Sequence, residues 1–185
     1  MNKKIGLGFL WLTISFTAVA QKKIFTKNGI ISFTSETRIE KIKAINKKAL
    51  AVIDLEHNKI EFAVLIGGFE FKKALMQEHF NENYLESDKF PKALFKGSFN
   101  QPNVSISINE NKTQRIQVQG NLTLHGVTKE IAIFAIITVK NKIISAQADF
   151  SVLLTDYDIK VPSVVSENIN KEVQINVNVP SFSEM

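Results

Sequence analysis

Strict alternation of apolar and polar residues is the feature that most limits what this sequence can fold into. In the stretch KEVQINVNV, valine or isoleucine occupies every second position from Val173 to Val179. Successive side chains of a β-strand point to opposite faces, so this period predicts a strand with one buried and one solvated face. The same period recurs in GIISFTS, NKIEFAVLI and KALFKGSF, and the whole chain is predicted to contain nine or ten strands.

Short turn signals separate these runs. The predicted connections are tight turns at Asn28-Gly29, His57-Asn58 and Lys140-Asn141 and a loop, NQPN, at residues 100–103. Many short strands joined by short turns favour an antiparallel sandwich or a closed barrel. A barrel is the preferred prediction because closure removes unpaired strand edges.

One predicted strand is apolar on both faces. In IAIFAIITV, Ile133 and Ile137 lie on one side, whereas Phe134 and Ile136 lie on the other. A strand of this kind is usually covered on both sides. We therefore expect its outer face to meet a helix, a long loop or another subunit.

The period changes between the strands that contain Ile66 and Ala93. A helix is predicted from Phe71 to Tyr84, since apolar residues recur there at spacings of three and four. Its apolar stripe consists of Leu75, Met76, Phe80 and Tyr84. Pro91 is expected to end any helical continuation and to begin the next strand.

This helical window also contains residue types that bind metals or move protons, namely Glu78, His79, Glu82, Glu86 and Asp88. Most of them fall opposite the apolar stripe, whereas an acid–base carboxylate would need an apolar pocket. The other histidines are His57, in a predicted turn, and His125, in a predicted strand, and neither has ligand-like spacing. We interpret the acids as a solvated face and predict no catalytic residue and no metal site. The alternative hypothesis, a hydrolase or metal enzyme built on this window, is less favoured.

The N-terminus has the pattern of a secretory signal. Lys3 and Lys4 precede the apolar run IGLGFLWLTISF, and small residues lead to Ala20. The run is too short for a stable membrane span, so residues 1–20 are predicted to be a cleaved signal, with an uncleaved anchor as the rival hypothesis. Residues 21–185 are predicted to form a single domain. Because the chain has no cysteine, its core must supply the stability.

The charge pattern excludes one class of partner. The formal net charge is +5, but lysines and acids are scattered rather than clustered. A nucleic-acid footprint is therefore absent. Weak, transient attraction to an anionic membrane surface is compatible with this charge.

Three motifs in order resemble the YceI-like family, the lipid- or polyisoprenoid-binding proteins of bacteria. The first is an acidic, aromatic turn followed by P-x-x-x-F, here Tyr84, Leu85, Ser87, Asp88, Pro91 and Phe95. The second is G-x-L-T-x-x-G-x-T, here Gly120, Leu122, Thr123, Gly126 and Thr128. The third consists of Phe150, Val152, Asp156, Tyr157 and Ile159. The window LIGGFEFKKALMQEHF departs from the family pattern.

This resemblance implies an all-β, lipocalin-like antiparallel β-barrel with one short helix covering it and a long apolar chain inside. Family members are often periplasmic and several are dimeric, so a homodimer stays open. The family is not defined by a catalytic residue, and no cofactor is expected. The residues predicted to contact the ligand are Phe33, Phe62, Val64, Met76, Phe80, Tyr84, Phe95, Phe99, Phe150, Val152 and Tyr157.

Energetics limit what such a pocket can select. Each buried methylene contributes roughly 0.8 kcal/mol relative to water, but a membrane interior is as apolar as a barrel. Selection must therefore come from tail shape and from a few polar groups at the mouth. The candidates are Tyr84 and Tyr157, with His125 as a third.

Two functions follow from these predictions. The first is a periplasmic or secreted carrier that holds a long-chain apolar or amphiphilic ligand, isoprenoid or fatty-acid-like. The alternative is a non-catalytic envelope interaction module that oligomerises without a small ligand, through a surface that covers Phe134 or Ile133.

Overall fold

The computed structural model describes residues 23–99, 106 and 109–184. The predicted signal at residues 1–20 and the NQPN loop lie outside the described residues. The strands are β1 (Lys23–Glu36), β2 (Lys41–Asp54), β3 (Lys59–Leu65), β4 (Glu70–Phe71), β5 (Lys92–Ser98), β6 (Lys112–Leu124), β7 (Val127–Lys140), β8 (Ile143–Leu153) and β9 (Glu172–Glu184). No helix in this part of the chain has the length and apolar character needed to cross a membrane.

Eight antiparallel strands close into a barrel, which confirms the predicted fold class. The order around the wall is β1, β9, β8, β7, β6, β5, β3 and β2, and β2 pairs back with β1. The short strand β4 pairs with the first part of β2, where Phe71 lies opposite Ala44. An eight-stranded barrel has an interior just wide enough to be filled by side chains or to hold one small ligand.

The period-two predictions describe the wall well. From Val173 to Val179 the side chains at odd positions all face inward, and Val179 is completely buried. From Ile60 to Ile66 the even positions likewise face the interior. The turn at residues 55–58 and the turn after Lys140 are where the sequence placed them.

Asn28-Gly29 is not a turn, so that prediction was wrong. Both residues lie inside β1, where the register with β2 shifts on either side of the pair Gly29 and Ala49. A Cβ on Gly29 would lie 3.0 Å from the carbonyl oxygen of Ala49, so the glycine allows a close approach of the two strands. The result is a bulge that bends a long strand instead of reversing it.

The predicted helix is shorter than expected and begins later. It is the α-helix α1 (Ala74–His79), followed by a π-helical turn at Phe80–Tyr84. Phe71 belongs to β4 because it pairs across to Ala44. Leu75 is 62% exposed and does not join the apolar stripe, so that part of the prediction was wrong. We refer to α1 and the π-helical turn together as the lid.

The two ends of the barrel differ. At the end that holds the turn at residues 55–58, side chains from most strands pack into one core, including the completely buried Ile53 and Val179. We call this the closed end. The opposite end carries the β1–β2 hairpin, the lid, the β6–β7 turn and the loop between β8 and β9. We call it the open end.

Asp54 stabilises the turn at the closed end. Its carboxylate accepts hydrogen bonds from the backbone N–H groups of His57 and Glu56, at 3.0 and 3.1 Å, and lies 3.0 Å from the His57 ring nitrogen Nδ1. The backbone hydrogen bond from His57 contributes most to lowering the pKa of Asp54 to about 2, and burial opposes it.

This lowered pKa predicts a pH dependence of stability. The unfolded carboxyl titrates near its ordinary pKa of 3.8, so the turn contributes its full stabilisation above that pH. The contribution is lost as the pH falls towards 2. NMR titration of the Asp54 carboxyl measures the pKa, and Asp54→Asn is expected to make acid unfolding less steep between about pH 4 and 2. The exposed neighbour variant Glu56→Gln serves as the control; an equal effect of both variants would contradict this account.

The outer face of β7 is not covered in the way the sequence suggested. Phe134 and Ile136 are 48% and 43% exposed, and the Arg115 guanidinium lies 4.0 Å from the centre of the Phe134 ring. Neither a helix nor a loop of the described chain covers them. Ile133, by contrast, faces the barrel interior.

Candidate ligand-binding site

The half of the barrel nearer the open end is hollow. A cavity of about 340 Å³ extends from the middle of the barrel to the open end, with a wall made almost entirely of carbon atoms. An engineered apolar cavity of roughly 150 Å³ stays dry and binds benzene, so this space is large enough for a longer hydrocarbon. It also falls within the roughly 300–1,000 Å³ range of small-molecule pockets.

Small side chains create this space on one wall. Ala135 on β7 pairs with Ala148 on β8, and Ala146 follows on the same inner face. Larger residues at these positions would extend the packed core of the closed end towards the open end. The emptiness of this half of the barrel therefore has a direct cause in the sequence of β7 and β8.

Most residues that the sequence predicted for ligand contact lie on the cavity wall. Those that line it are Phe33, Phe62, Val64, Met76, Phe80, Tyr84, Phe95, Phe150 and Val152. Burial raises the pKa of Tyr84 above its ordinary value, because removal from water disfavours the phenolate. Contact of these side chains with a ligand stays a prediction.

Phe99 and Tyr157 do not line the cavity, which corrects their predicted placement. Phe99 follows β5 at the closed end, where it is 2% exposed and packs in the solid core. Tyr157 is also 2% exposed and packs against Leu85 and Ile159 in a separate cluster under the lid. Burial, and next the nearby Asp156 carboxylate, raise the pKa of Tyr157. A group buried in this way cannot meet a ligand at the mouth.

An aromatic cluster attaches the lid to the barrel. The Phe80 ring stacks on Phe33 with 5.3 Å between ring centres, and Phe71 lies 5.0 Å from Phe80. Phe69 contacts both Phe33 and Phe80. Sequence analysis missed Phe69, although the alternation in FEF was a usable signal for an inward-facing aromatic pair at residues 69 and 71.

His125 fastens the loop after the lid to the barrel. The residue lies in the β6–β7 turn with a φ of 51°, not in a strand, so its predicted placement was wrong. Its Nε2 lies 2.8 Å from a Glu86 carboxylate oxygen, and its Nδ1 lies 3.0 Å from the Tyr157 carbonyl oxygen. Both oxygens are acceptors, so the contacts hold the ring through whichever of its nitrogens carries a proton. His125 therefore acts at this junction and does not project into the cavity.

Backbone strain collects at the same place. Glu86, His125 and Asp158 have φ values of 42°, 51° and 53°, in the left-handed region that side chains disfavour. Gly126 completes the turn at a φ of 77°, and a Cβ there would lie 2.5 Å from the Phe90 ring. Such conformations persist where surrounding contacts hold them, and they cluster at functional sites.

We expect His125→Ala to loosen this junction. The polar contacts of a side chain that is only 10% exposed would be lost, including the contact with the charged Glu86 carboxylate, at a cost of about 2 kcal/mol in the free energy of unfolding. Hydrogen exchange should accelerate at the Leu85 and Ser87 amides, which donate hydrogen bonds to the carbonyl oxygens of Phe80 and Asn81 in the lid. His79→Ala, at an exposed lid position, is the control. Unchanged exchange at residues 85–87 would contradict the proposed junction.

The acidic residues of the lid and of the loop after it are not grouped as a metal site requires. Glu78 and Glu82 are exposed, and Glu86 is committed to His125. Among the described residues, no group of three or more histidine or acidic side chains is placed to hold a metal ion.

A second space lies on the outside of the barrel, where β7 and β8 separate. Their ladder runs only from Ala135 opposite Ala148 to Lys140 opposite Ile143. Beyond it opens a groove of about 380 Å³ whose wall includes Lys129, Glu130, Asp156 and Glu172. These charged groups make it unsuited to an apolar chain, and the interior cavity is the better candidate.

Solved structures that share this barrel include a polyisoprenoid-binding domain from Saccharophagus degradans implicated in plant cell wall breakdown. It matches with a TM-score of 0.73 at 10% identity, over 89% of this chain and 99% of that one. BcnA from Burkholderia cenocepacia matches with a TM-score of 0.68 at 12% identity, over 82% and 94% of the two chains. The YceI protein of Campylobacter jejuni matches with a TM-score of 0.56 at 14% identity, over 99% and 93%. At these identities the likeness establishes the fold.

A search of curated protein sequences finds no match. The family model of the YceI-like domain, however, matches residues 14–180, which is most of the chain. The chain belongs to the YceI-like family.

The three motifs of this YceI-like chain meet at the open end. Leu122 lines the cavity, and the Thr123 and Thr128 hydroxyls lie 2.8 Å apart across the β6–β7 hairpin. The carbonyl oxygen of Pro91 accepts a hydrogen bond from the Ile66 N–H at 2.9 Å. The YceI-like motifs therefore contribute both to the connections at the open end and to the cavity wall, where seven of their sixteen residues lie: Tyr84, Leu85, Phe95, Leu122, Phe150, Val152 and Ile159.

Proposed function

We propose that this YceI-like protein is a periplasmic or secreted carrier that holds one long-chain apolar or amphiphilic ligand, isoprenoid or fatty-acid-like, inside its barrel. The observation that carries the proposal is the apolar cavity of about 340 Å³ beneath the lid. A cavity with a carbon wall offers a hydrocarbon a place to leave water, at roughly 0.8 kcal/mol for each methylene. The polyisoprenoid-binding domain from Saccharophagus degradans has the same fold and supports an isoprenoid tail as one ligand class.

The same proposal includes export. Residues 1–20 act in it as a cleaved signal, residues 21–185 form the carrier domain, and family members are often periplasmic. The intact mass of the protein purified from its own envelope tests this, since cleavage after Ala20 leaves a chain that begins at Gln21. A mass that retains residues 1–20 would contradict it.

Native mass spectrometry of the mature protein, purified without detergent from its own envelope, tests the carrier function. We expect a bound mass that dissociates as a lipid and is recovered by solvent extraction. If the purified protein carries no ligand, it is incubated with a lipid extract of the same envelope and measured again. If it stays apo after that incubation, the carrier proposal is overturned.

Exposed apolar side chains favour a second candidate function. Phe134 and Ile136 lie side by side on the outside of β7, at 48% and 43% exposure, as an interaction module without a small ligand would require. Light scattering of the mature protein distinguishes this candidate, since it requires an oligomer that Phe134→Ser dissociates. A monomer at high concentration would rule it out.

A further inference from the structure

The rim of the cavity carries a few polar residues. Where the cavity reaches the open end, its wall includes Ser35, Glu40, His79 and Asn168. Among the described residues that line the cavity, Glu40 is the one carboxylate, and no lysine or arginine is among them. A tail gains little free energy by moving from a bilayer into this cavity, so the polar groups at the rim, together with the shape of the tail, decide which ligands are retained.

The position of Glu40 is set by the β1–β2 hairpin. The Thr37 hydroxyl oxygen accepts the Glu40 N–H at 3.1 Å, and the Thr37 N–H donates to the Glu40 carbonyl oxygen at 2.9 Å. These bonds close the turn between the two strands. Because both the N–H and the carbonyl group of Glu40 are hydrogen-bonded to Thr37, the backbone of Glu40 has a defined position beside the cavity.

The charges of Glu40 and its partner are not equally placed. The Lys73 ammonium lies 3.2 Å from a Glu40 carboxylate oxygen, but the Lys73 side chain is 68% exposed and that of Glu40 only 25%. The cation is therefore largely in solvent, where water screens it, whereas Glu40 lines the cavity and most of its side chain is shielded from solvent. Lys73 is already paired with Glu40, so it is not a free cation that an anionic head group could bind.

We propose that Glu40 selects the head group of the ligand, so that the cavity takes an apolar chain with an uncharged, hydrogen-bond-donating head and discriminates against an anionic one. This inference rests on the proposed carrier function. A carboxylate accepts a hydrogen bond from a hydroxyl or amide head. A phosphate or carboxylate head would instead lie beside a like charge that is partly shielded from water.

Farnesol and farnesyl monophosphate provide the test, because they share one isoprenoid tail and differ in head-group charge. Equilibrium dialysis of the delipidated mature protein, without detergent and at low ionic strength, gives both dissociation constants. We expect the wild type to bind farnesol about tenfold more tightly or better, the order expected for like charges a few ångströms apart near a protein surface.

Glu40→Gln should narrow this ratio by about tenfold, mainly by tightening the binding of the phosphate. Glu36→Gln is the matched control, since Glu36 lies in the same hairpin, pairs with Lys41 at 2.6 Å and does not line the cavity. It should leave the ratio unchanged. Circular dichroism verifies that both variants are folded.

The outcomes separate this inference from the carrier function. Equal affinities of the wild type for the two compounds, or equal shifts in both variants, would overturn the role of Glu40 and leave the carrier function standing. Failure of the folded wild type to bind either compound would overturn the role of Glu40 in selecting an isoprenoid head group, whereas the carrier function itself is decided by the incubation with the envelope lipid extract.

Discussion

The Ala148→Phe variant is expected to lose at least tenfold in its affinity for farnesol while remaining folded. Ala148 lines the cavity and is buried on the inner face of β8. A phenyl ring there would occupy a large part of a cavity of about 340 Å³, given that a space of roughly 150 Å³ accommodates benzene. The ring enters empty space, so the fold should lose no more than about 1–3 kcal/mol, the usual cost of overpacking.

Dialysis against farnesol and urea unfolding measure the two effects. Ala132→Phe is the matched control, since Ala132 is exposed on the outer face of β7. Ala93→Phe places the same ring in the cavity from another strand, β5, and should also reduce affinity if Ala148→Phe is too unstable to assay. Wild-type affinity in the folded cavity variants would show that the ligand does not bind inside the barrel.

The Phe99→Ala variant is expected to be strongly destabilising, more so than the cavity-filling variants. Phe99 is 2% exposed in the solid core of the closed end, and truncation of a buried phenylalanine costs about 3–5 kcal/mol. That is a large fraction of the roughly 5–15 kcal/mol that holds a typical domain together. Because Phe99 does not line the cavity, the folded fraction should keep its farnesol affinity.

Circular dichroism is the suitable probe of urea unfolding, since the one tryptophan is Trp11 in the predicted signal. Phe134→Ala serves as the matched control: the same truncation on the outer surface should cost no more than about 1 kcal/mol, chiefly its contact with Arg115. Similar losses of stability in the two variants would refute the division into a solid closed end and a hollow open end.

Predictions based on period succeeded where one face of a strand is buried. The run from Val173 to Val179 is an example, because alternation in the sequence is the direct trace of alternation between core and solvent. The helical window was recognised for the same reason, although its start was misplaced. Phe71 satisfies either a helix or a short strand locally, and only its pairing with Ala44 on β2 decides between them.

Predictions for individual site residues failed where depth along the barrel mattered. Phe95 and Phe99 share one face of one segment, so the sequence cannot separate them, yet Phe95 lines the cavity and Phe99 fills the closed end. Tyr157 and His125 failed for a related reason. Each lies in a connection whose neighbours, Leu85 and Glu86, come from distant parts of the chain.

The sequence by itself determined the strand-rich class, the inward face of the runs with strict alternation, the presence of a covering helix and, through three ordered motifs, the YceI-like family. These features depend on residues near one another in the chain. The tertiary structure alone decided that the barrel is hollow towards the open end and packed at the closed end, and that Glu40 is the acidic residue at the cavity rim. Volume and electrostatic environment arise from side chains that converge from all eight strands, and their sum cannot be obtained from any single segment.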